Sequence, residues 1–178
     1  MIYKFRVILD AEEDVFRDIA IREDDTLEDL HNAIVNAFGF DGTEIASFYT
    51  CDDQWNQEDE ISLFDTGEIL GEQKIMNDYE LSDILDEENT KIIYVYDFLN
   101  MWTFLVELAA IEELAAGEDY PSVLFSHGIM PADAPEKDFT EASTNAFDYD
   151  EDDYDEDDLD MLDGGENFED LGFEENWN

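Results

Sequence analysis

The chain has 178 residues, 52 of them acidic against seven Lys and Arg, for a formal net charge of −45. A field of that sign repels nucleic acid and anionic lipid and draws in basic protein surfaces, so direct binding of DNA or RNA is not expected. One cysteine, Cys51, excludes an internal disulfide, and two distant histidines, His31 and His127, give no zinc-site spacing.

The charge is unevenly spread. Residues 1–140 hold 35 acids and all seven bases, a net −28, whereas residues 141–178 hold 17 acids and no base, a net −17. The N-terminus, MIYKFRVILDAEED, lacks the longer apolar run and small-residue cleavage site of a signal peptide. No apolar run reaches the roughly 18 residues that span a bilayer. A soluble, cytoplasmic protein without a membrane partner is expected.

In residues 2–9, IYKFRVIL, Tyr3, Phe5 and Val7 alternate with Lys4, Arg6 and Ile8, close to the two-residue period of a strand. AEED interrupts as a turn. VFRDIAIRE then repeats the pattern with Val15, Arg17, Ile19 and Ile21 on one face, so an opening hairpin is predicted.

TLEDLHNAIVNAFGF carries the clearest helix signal. Thr26 and Asp29 have capping-box spacing, and Glu28 and Asp29 lie where the helix dipole favours negative charge. Leu27, Leu30, Ile34 and Phe38 form one apolar stripe, expected to pack across the hairpin, and Gly39 is placed to end the helix. His31 lies beside the stripe with no partner visible in sequence and is expected to be a packing or boundary residue.

IASFYTC, residues 45–51, reads as a third strand, followed by the polar run DDQWNQEDE, in which Trp55 is placed to cover the edge of the core. ISLFD suggests a brief strand, TGEILGEQ a glycine-marked loop, and LSDIL a short helical turn. KIIYVYDF and WTFLVEL then alternate with apolar residues on both faces, the pattern of central strands covered on two sides. IEELAAGEDYPSVLFSHGIMPADAP has little regular pattern and is expected to end in a proline-containing loop.

From about residue 138 the composition changes. The segment is dense in acids, which opposes hydrophobic collapse, and a disordered tail over 138–178 is expected. Tyr149, Tyr154, Phe168, Leu171, Phe173 and Trp177 are spread among those acids. Acidic-aromatic alternation is typical of segments that dock on a partner, and these six residues are the candidate partner-binding set.

Motifs for chemistry are missing. With 52 acids, carboxylate pairs lose diagnostic value. Asp148, Asp150 and Asp152 alternate as in a calcium loop, but Asp153 stands where glycine is required, so no metal site is expected. There is no G-x-S-x-G, Walker A or G-x-G-x-x-G motif, and Cys51 in a strand context reads as a small buried hydrophobe. No cofactor is implied. Two polar residues are retained as possible site residues: Asp97, inside the aromatic stretch, and His127, which precedes Gly128 in a predicted loop.

The succession YKFRVIL, VFRDIAI, TLEDLHNAIVNAFGF, ASFYTCDD and YVYDFLNMWTFLVEL resembles the Ri-plasmid pRiA4b ORF-3-like domain family, in its Bacteroidota-type branch, over roughly residues 1–135. Its most specific pieces are the T-L-x-D-L-H helix start and the Tyr-x-Tyr-Asp-Phe strand. Many members continue that strand as Tyr-Asp-Phe-Gly-Asp-x-Trp-x-His. Here Leu99 and Asn100 stand in place of Gly-Asp, and Phe104 stands in place of the histidine. The family's proline-tryptophan-arginine element is reduced to Val15-Phe16-Arg17. The resemblance implies a fold and association with mobile elements.

The expected architecture is therefore an α+β domain over residues 1–137, a mixed or antiparallel, β-grasp-like sheet packed by one main helix, and then the acidic tail 138–178. The expected function is a non-enzymatic, monomeric interaction module acting as a nucleic-acid mimic. Its partner would be a basic protein such as an RNA polymerase, a transposase or a ribosome-associated factor. Two alternatives are an enzyme using a carboxylate such as Asp97 beside the aromatic core, and a tail serving only solubility or as an internal cap.

Overall fold

The computed structural model describes residues 1–67 and 69–136, which belong to one unit, Met1–Glu136. Its strands are β1 (Ile2–Leu9), β2 (Phe16–Arg22), β3 (Ala46–Cys51), β4 (Gln57–Ser62), β5 (Lys91–Tyr96), β6 (Trp102–Glu112) and β7 (Ser122–His127). The helices are α1 (Leu27–Phe38), a 3₁₀ turn at Met76–Asp78 and the single turn α2 (Leu81–Ile84). The seven strands form one sheet in the order β4-β3-β5-β6-β1-β2-β7, and every neighbouring pair is antiparallel. An isolated parallel bridge joins Ser62 to Ile75.

The opening hairpin forms as its alternation predicts, with Phe5 opposite Ile19 and Val7 opposite Arg17. Helix α1 begins at the predicted capping box. The Thr26 hydroxyl accepts from the Asp29 amide, and the Asp29 carboxylate accepts from the Thr26 amide at 2.8 Å. It ends at Gly39, whose φ of 77° is the left-handed cap that glycine adopts most readily. The 3.6-residue period turns Leu27, Leu30, Ile34 and Phe38 onto the sheet, all buried.

The core lies between α1 and one face of the sheet. Tyr3, Phe5, Val7 and Leu9 of β1 meet Tyr94 of β5 and Phe104 and Val106 of β6 there, with the tilted Phe38 and Phe104 rings 4.6 Å apart between centroids. Each fully buried Leu, Val or Phe of this set contributes roughly 1.5–3 kcal/mol. Ile93 and Val95 alternate with Tyr94 and so point to the opposite face, where they too are buried. The two-sided apolar pattern of β5 is thus matched by burial on both faces.

Three stretches depart from expectation. The polar run after Cys51 is not irregular: β4 takes in Gln57, Glu58, Asp59 and Glu60, all exposed, and only Ile61 enters the core. An edge strand can be built from charges because its ladder supplies the backbone hydrogen bonds while the acids discourage further pairing. Trp55 does not cover the core edge. It stands at a φ of 66° in the turn before β4, half-buried, with the Lys91 ammonium 5.1 Å from its ring centroid. The third departure is β7, a strand where a loop was predicted, which places His127 within regular structure. No helix among the described residues is long and apolar enough to cross a membrane.

Candidate functional site

His31, on the sheet-facing side of α1, meets Tyr94 of β5: its Nδ1 and the phenol oxygen share a hydrogen bond of 2.7 Å. Tyr94 is closed in by Phe48 and Phe104, with ring centroids 4.9 and 5.9 Å away, and is fully buried. Burial without a compensating charge lowers His31 from 6.5 to about 4 and pushes the Tyr94 phenol far up. At neutral pH both groups are uncharged, and the tautomer of the imidazole sets which of the two donates. His31 is 3 % exposed and does not reach the surface where a substrate could meet it. The predicted packing role therefore holds, with a polar partner that the sequence did not reveal.

Asp97 directly follows β5 at a φ of 59° and holds the turn into β6. Its Oδ1 accepts from the Leu99 and Asn100 amides at 3.1 and 3.4 Å, and its Oδ2 accepts from Asn100 Nδ2 at 2.5 Å. The Met101 amide donates to the Asp97 carbonyl, and the Asp97 amide donates to the Ile45 carbonyl. This geometry is that of a turn cap, in which an aspartate both tolerates the left-handed backbone and binds the amides ahead of it.

Arg17 points from β2 toward α1, its guanidinium 5.0 Å from the Phe38 ring centroid. It donates to four carbonyls: Phe16 (2.8 Å), His127 (2.7 Å), Ala37 (3.2 Å) and Gly128 (3.3 Å). One side chain thus ties β2, the end of α1 and the end of β7 together. On the opposite face of the sheet, His127 stacks on Phe16 at 5.1 Å, Phe125 lies 5.9 Å from Phe16, and the Arg6 guanidinium sits 4.4 Å over it. His127 is exposed in that aromatic group.

Two surface clefts accompany these features. One, of about 270 Å³, is lined by Asp59, Glu60, Ser62, Glu72, Gln73 and Lys74 beside β4. The other, of about 90 Å³, lies between α1 and β7 and is lined by Ile19, Ala33, Asn36, Pro121, Ser122 and Val123. Asp97, His31 and His127 line neither. Cys51 is half-buried rather than buried, and burial with its acidic neighbours pushes its thiol up to about 11, so it is no thiolate at neutral pH. Among the described residues, no group of three or more His, Cys, Asp or Glu is placed to hold a metal ion.

The model of the plasmid pRiA4b ORF-3-like protein family matches residues 1–175. The chain belongs to this family. The match runs well past residue 135, where the resemblance read from the sequence stops. A crystal structure of a protein of unknown function, MM3350 from Methanosarcina mazei Go1, is similar to this family member with a TM-score of 0.62 and 25 % sequence identity. That similarity covers 70 % of this chain and 68 % of the other. No curated protein matches.

Within this pRiA4b ORF-3-like chain, the positions that depart from the family's strand motif have plain structural roles. Leu99 and Asn100 form the tip of the turn that Asp97 caps, with Leu99 almost fully exposed. Phe104 is buried against Phe38, Phe40 and Tyr94. Asp97 and His127 are not brought together, since Asp97 follows β5 and His127 ends β7, at the far edge of the sheet. Tyr149, Tyr154, Phe168, Leu171, Phe173 and Trp177 lie outside the described residues. The sequence reading missed the Arg17 cluster and the cleft beside β7. An arginine in the apolar series Val15-Arg17-Ile19-Ile21 was the available signal for the first, because a guanidinium on a core face needs acceptors there.

Proposed function

We propose that this chain is a non-enzymatic interaction module whose acidic surface and tail engage a basic, nucleic-acid-handling protein, in the manner of a nucleic-acid mimic. The observation that carries the proposal is the uncompensated charge of −45. Little of it is neutralised locally: Lys4, Arg6, Arg22 and Lys74 are each spent on a carboxylate, and Arg17 and Lys91 donate to backbone carbonyls. The surplus acids remain in water, where they steer a cationic partner and speed its encounter. The aromatic residues of the tail supply the anchors that charge alone lacks. The half-buried, protonated Cys51 suits a reducing cytoplasm. An enzyme reading built on Asp97 gains no support, because both carboxylate oxygens are engaged in the turn.

The test is a pull-down from lysate with the full chain beside a chain ending at residue 140. Basic proteins that bind nucleic acid should be recovered at modest salt by the full chain and lost from the shorter one. Recovery of the same proteins by both, or of none by either, defeats the proposal.

A further inference from the structure

The two edges of the sheet are built differently. β4 carries exposed Glu58, Asp59 and Glu60, the charged protection expected of an edge that must stay unpaired. β7, SVLFSH, has no charged residue, and Val123, Leu124 and Phe125 are each about half exposed. Among the described residues β7 pairs only with β2 and is the outermost strand on that side of the sheet.

Side-chain sites flank that edge on both faces. Val123, opposite Ile19, points to the core side, where the 90 Å³ cleft against Ala33 and Asn36 of α1 opens. Phe125 and His127, opposite Asp18 and Phe16, stand on the other face in the aromatic group beneath Arg6. A strand added to β7 would send alternate side chains into the cleft and over Phe125, which is how edge-adding peptides obtain specificity beyond the backbone ladder.

Charge decides what the edge accepts. At the Ser122 end, Glu118 and Asp119 are exposed. At the His127 end lie exposed Glu12, Glu13 and Asp14, the last against Gly128. An uncharged strand of six residues, about 20 Å long, thus lies between two acidic ends. A second copy carries −45 of its own and is repelled from these ends.

We propose that β7 and the α1–β7 cleft form the docking edge for an extended, apolar peptide segment flanked by Lys or Arg on both sides. This rests on the basic-partner reading above and names the surface that partner uses. The peptide pairs its backbone with β7, places one apolar side chain against Val123 and Ala33, and sets its flanking cations over the acids at each end.

The experiment uses the full chain and two synthetic peptides of identical charge, each with two Lys and Arg at either end. One has an alternating Val-Thr centre and the other a Gly-Ser centre of the same length. At physiological salt the Val-Thr peptide is expected to bind at least tenfold more tightly and to slow hydrogen exchange at residues 122–127. Val123→Lys, which blunts the exposed edge, and Asn36→Trp, which fills the cleft from an exposed helix position, should each erase the tenfold preference. Asn36→Trp adds no charge and should leave the weaker Gly-Ser binding unchanged, whereas Val123→Lys, which adds a like charge, should weaken both peptides alike apart from the lost preference. Equal affinity for the two peptides, or protection that falls outside β7, overturns the docking edge while leaving the basic-partner reading intact. Failure of both peptides to bind at low salt overturns both. A concentration-dependent dimer in sedimentation that Val123→Lys abolishes would assign the edge to a second copy and overturn the proposal as well.

Discussion

His31 on α1 and Tyr94 on β5 share a 2.7 Å hydrogen bond inside the helix–sheet interface. Tyr94 is also in contact with the Phe48 and Phe104 rings, so the helix is tied to the middle of the sheet at one polar point surrounded by aromatic packing. Removing the phenol oxygen by Tyr94→Phe leaves His31 Nδ1 buried without its partner. The expected loss is about 1–3 kcal/mol, the usual cost of stranding a buried polar group. Chemical denaturation of the two proteins measures it. The double replacement His31→Leu with Tyr94→Phe removes both polar atoms and should cost less than the sum of the single changes.

The same pair predicts an acid-side dependence of stability. His31 titrates near 4 in the folded protein against 6.5 unperturbed, so between these values the unfolded chain takes up a proton that the folded one refuses. Stability from this group is present in full above about pH 6.5 and is lost as pH falls through about 4. Unfolding free energies of the wild type and the His31→Leu, Tyr94→Phe double variant, measured from pH 7 to pH 4, isolate the effect. The carboxylates titrate in both proteins and largely cancel in the difference. Wild-type stability should fall relative to the variant across that window, and parallel curves would refute the assignment.

Asp97 is expected to behave as a turn cap. Asp97→Ala removes the acceptor of the Leu99 and Asn100 amides and puts a residue that resists positive φ at 59°. A loss of roughly 1–3 kcal/mol is expected. Asp97→Asn keeps a side-chain oxygen and tolerates the left-handed backbone, so it should lose markedly less. Thermal melting of the two variants provides the comparison, and equal losses would point to a role for the charge itself.

The elements that the sequence disclosed are those whose signal is local. Thr26, Asp29, the Leu27–Phe38 stripe and Gly39 specify α1 within a single stretch of chain, and the alternation around Tyr94 and Phe104 marks the central strands. β7 has no such signal, because three apolar residues in succession and a bulge between the Asp18 and Ile19 registers break the two-residue period. Its strand character comes from partners more than 100 residues away, β2 and the Arg17 guanidinium. β4 was hidden for the opposite reason: an edge strand facing water on both sides has little apolar periodicity to show. The His31–Tyr94 bond joins positions 63 residues apart, and no single stretch of sequence could pair them.

The junction held by Arg17 yields the last prediction. Its guanidinium reaches the carbonyls of His127 and Gly128, where the chain leaves β7 at a φ of 79° for Gly128. Lysine keeps the charge but is a single ammonium group, unable to span four carbonyls from one planar fork. Arg17→Lys should therefore cost roughly 1.5–3 kcal/mol, the scale of one lost charge-assisted hydrogen bond. The loss should concentrate in β7, read as faster amide exchange at residues 122–127 than in the β5–β6 pair. Gly128→Ala attacks the same junction sterically: a Cβ there meets the Asp14 carbonyl oxygen and comes within 2.9 Å of Val15 Cα. It should loosen the same strand. If exchange rises uniformly across the sheet in both variants, Arg17 supports the fold as a whole and β7 is not a separately anchored edge.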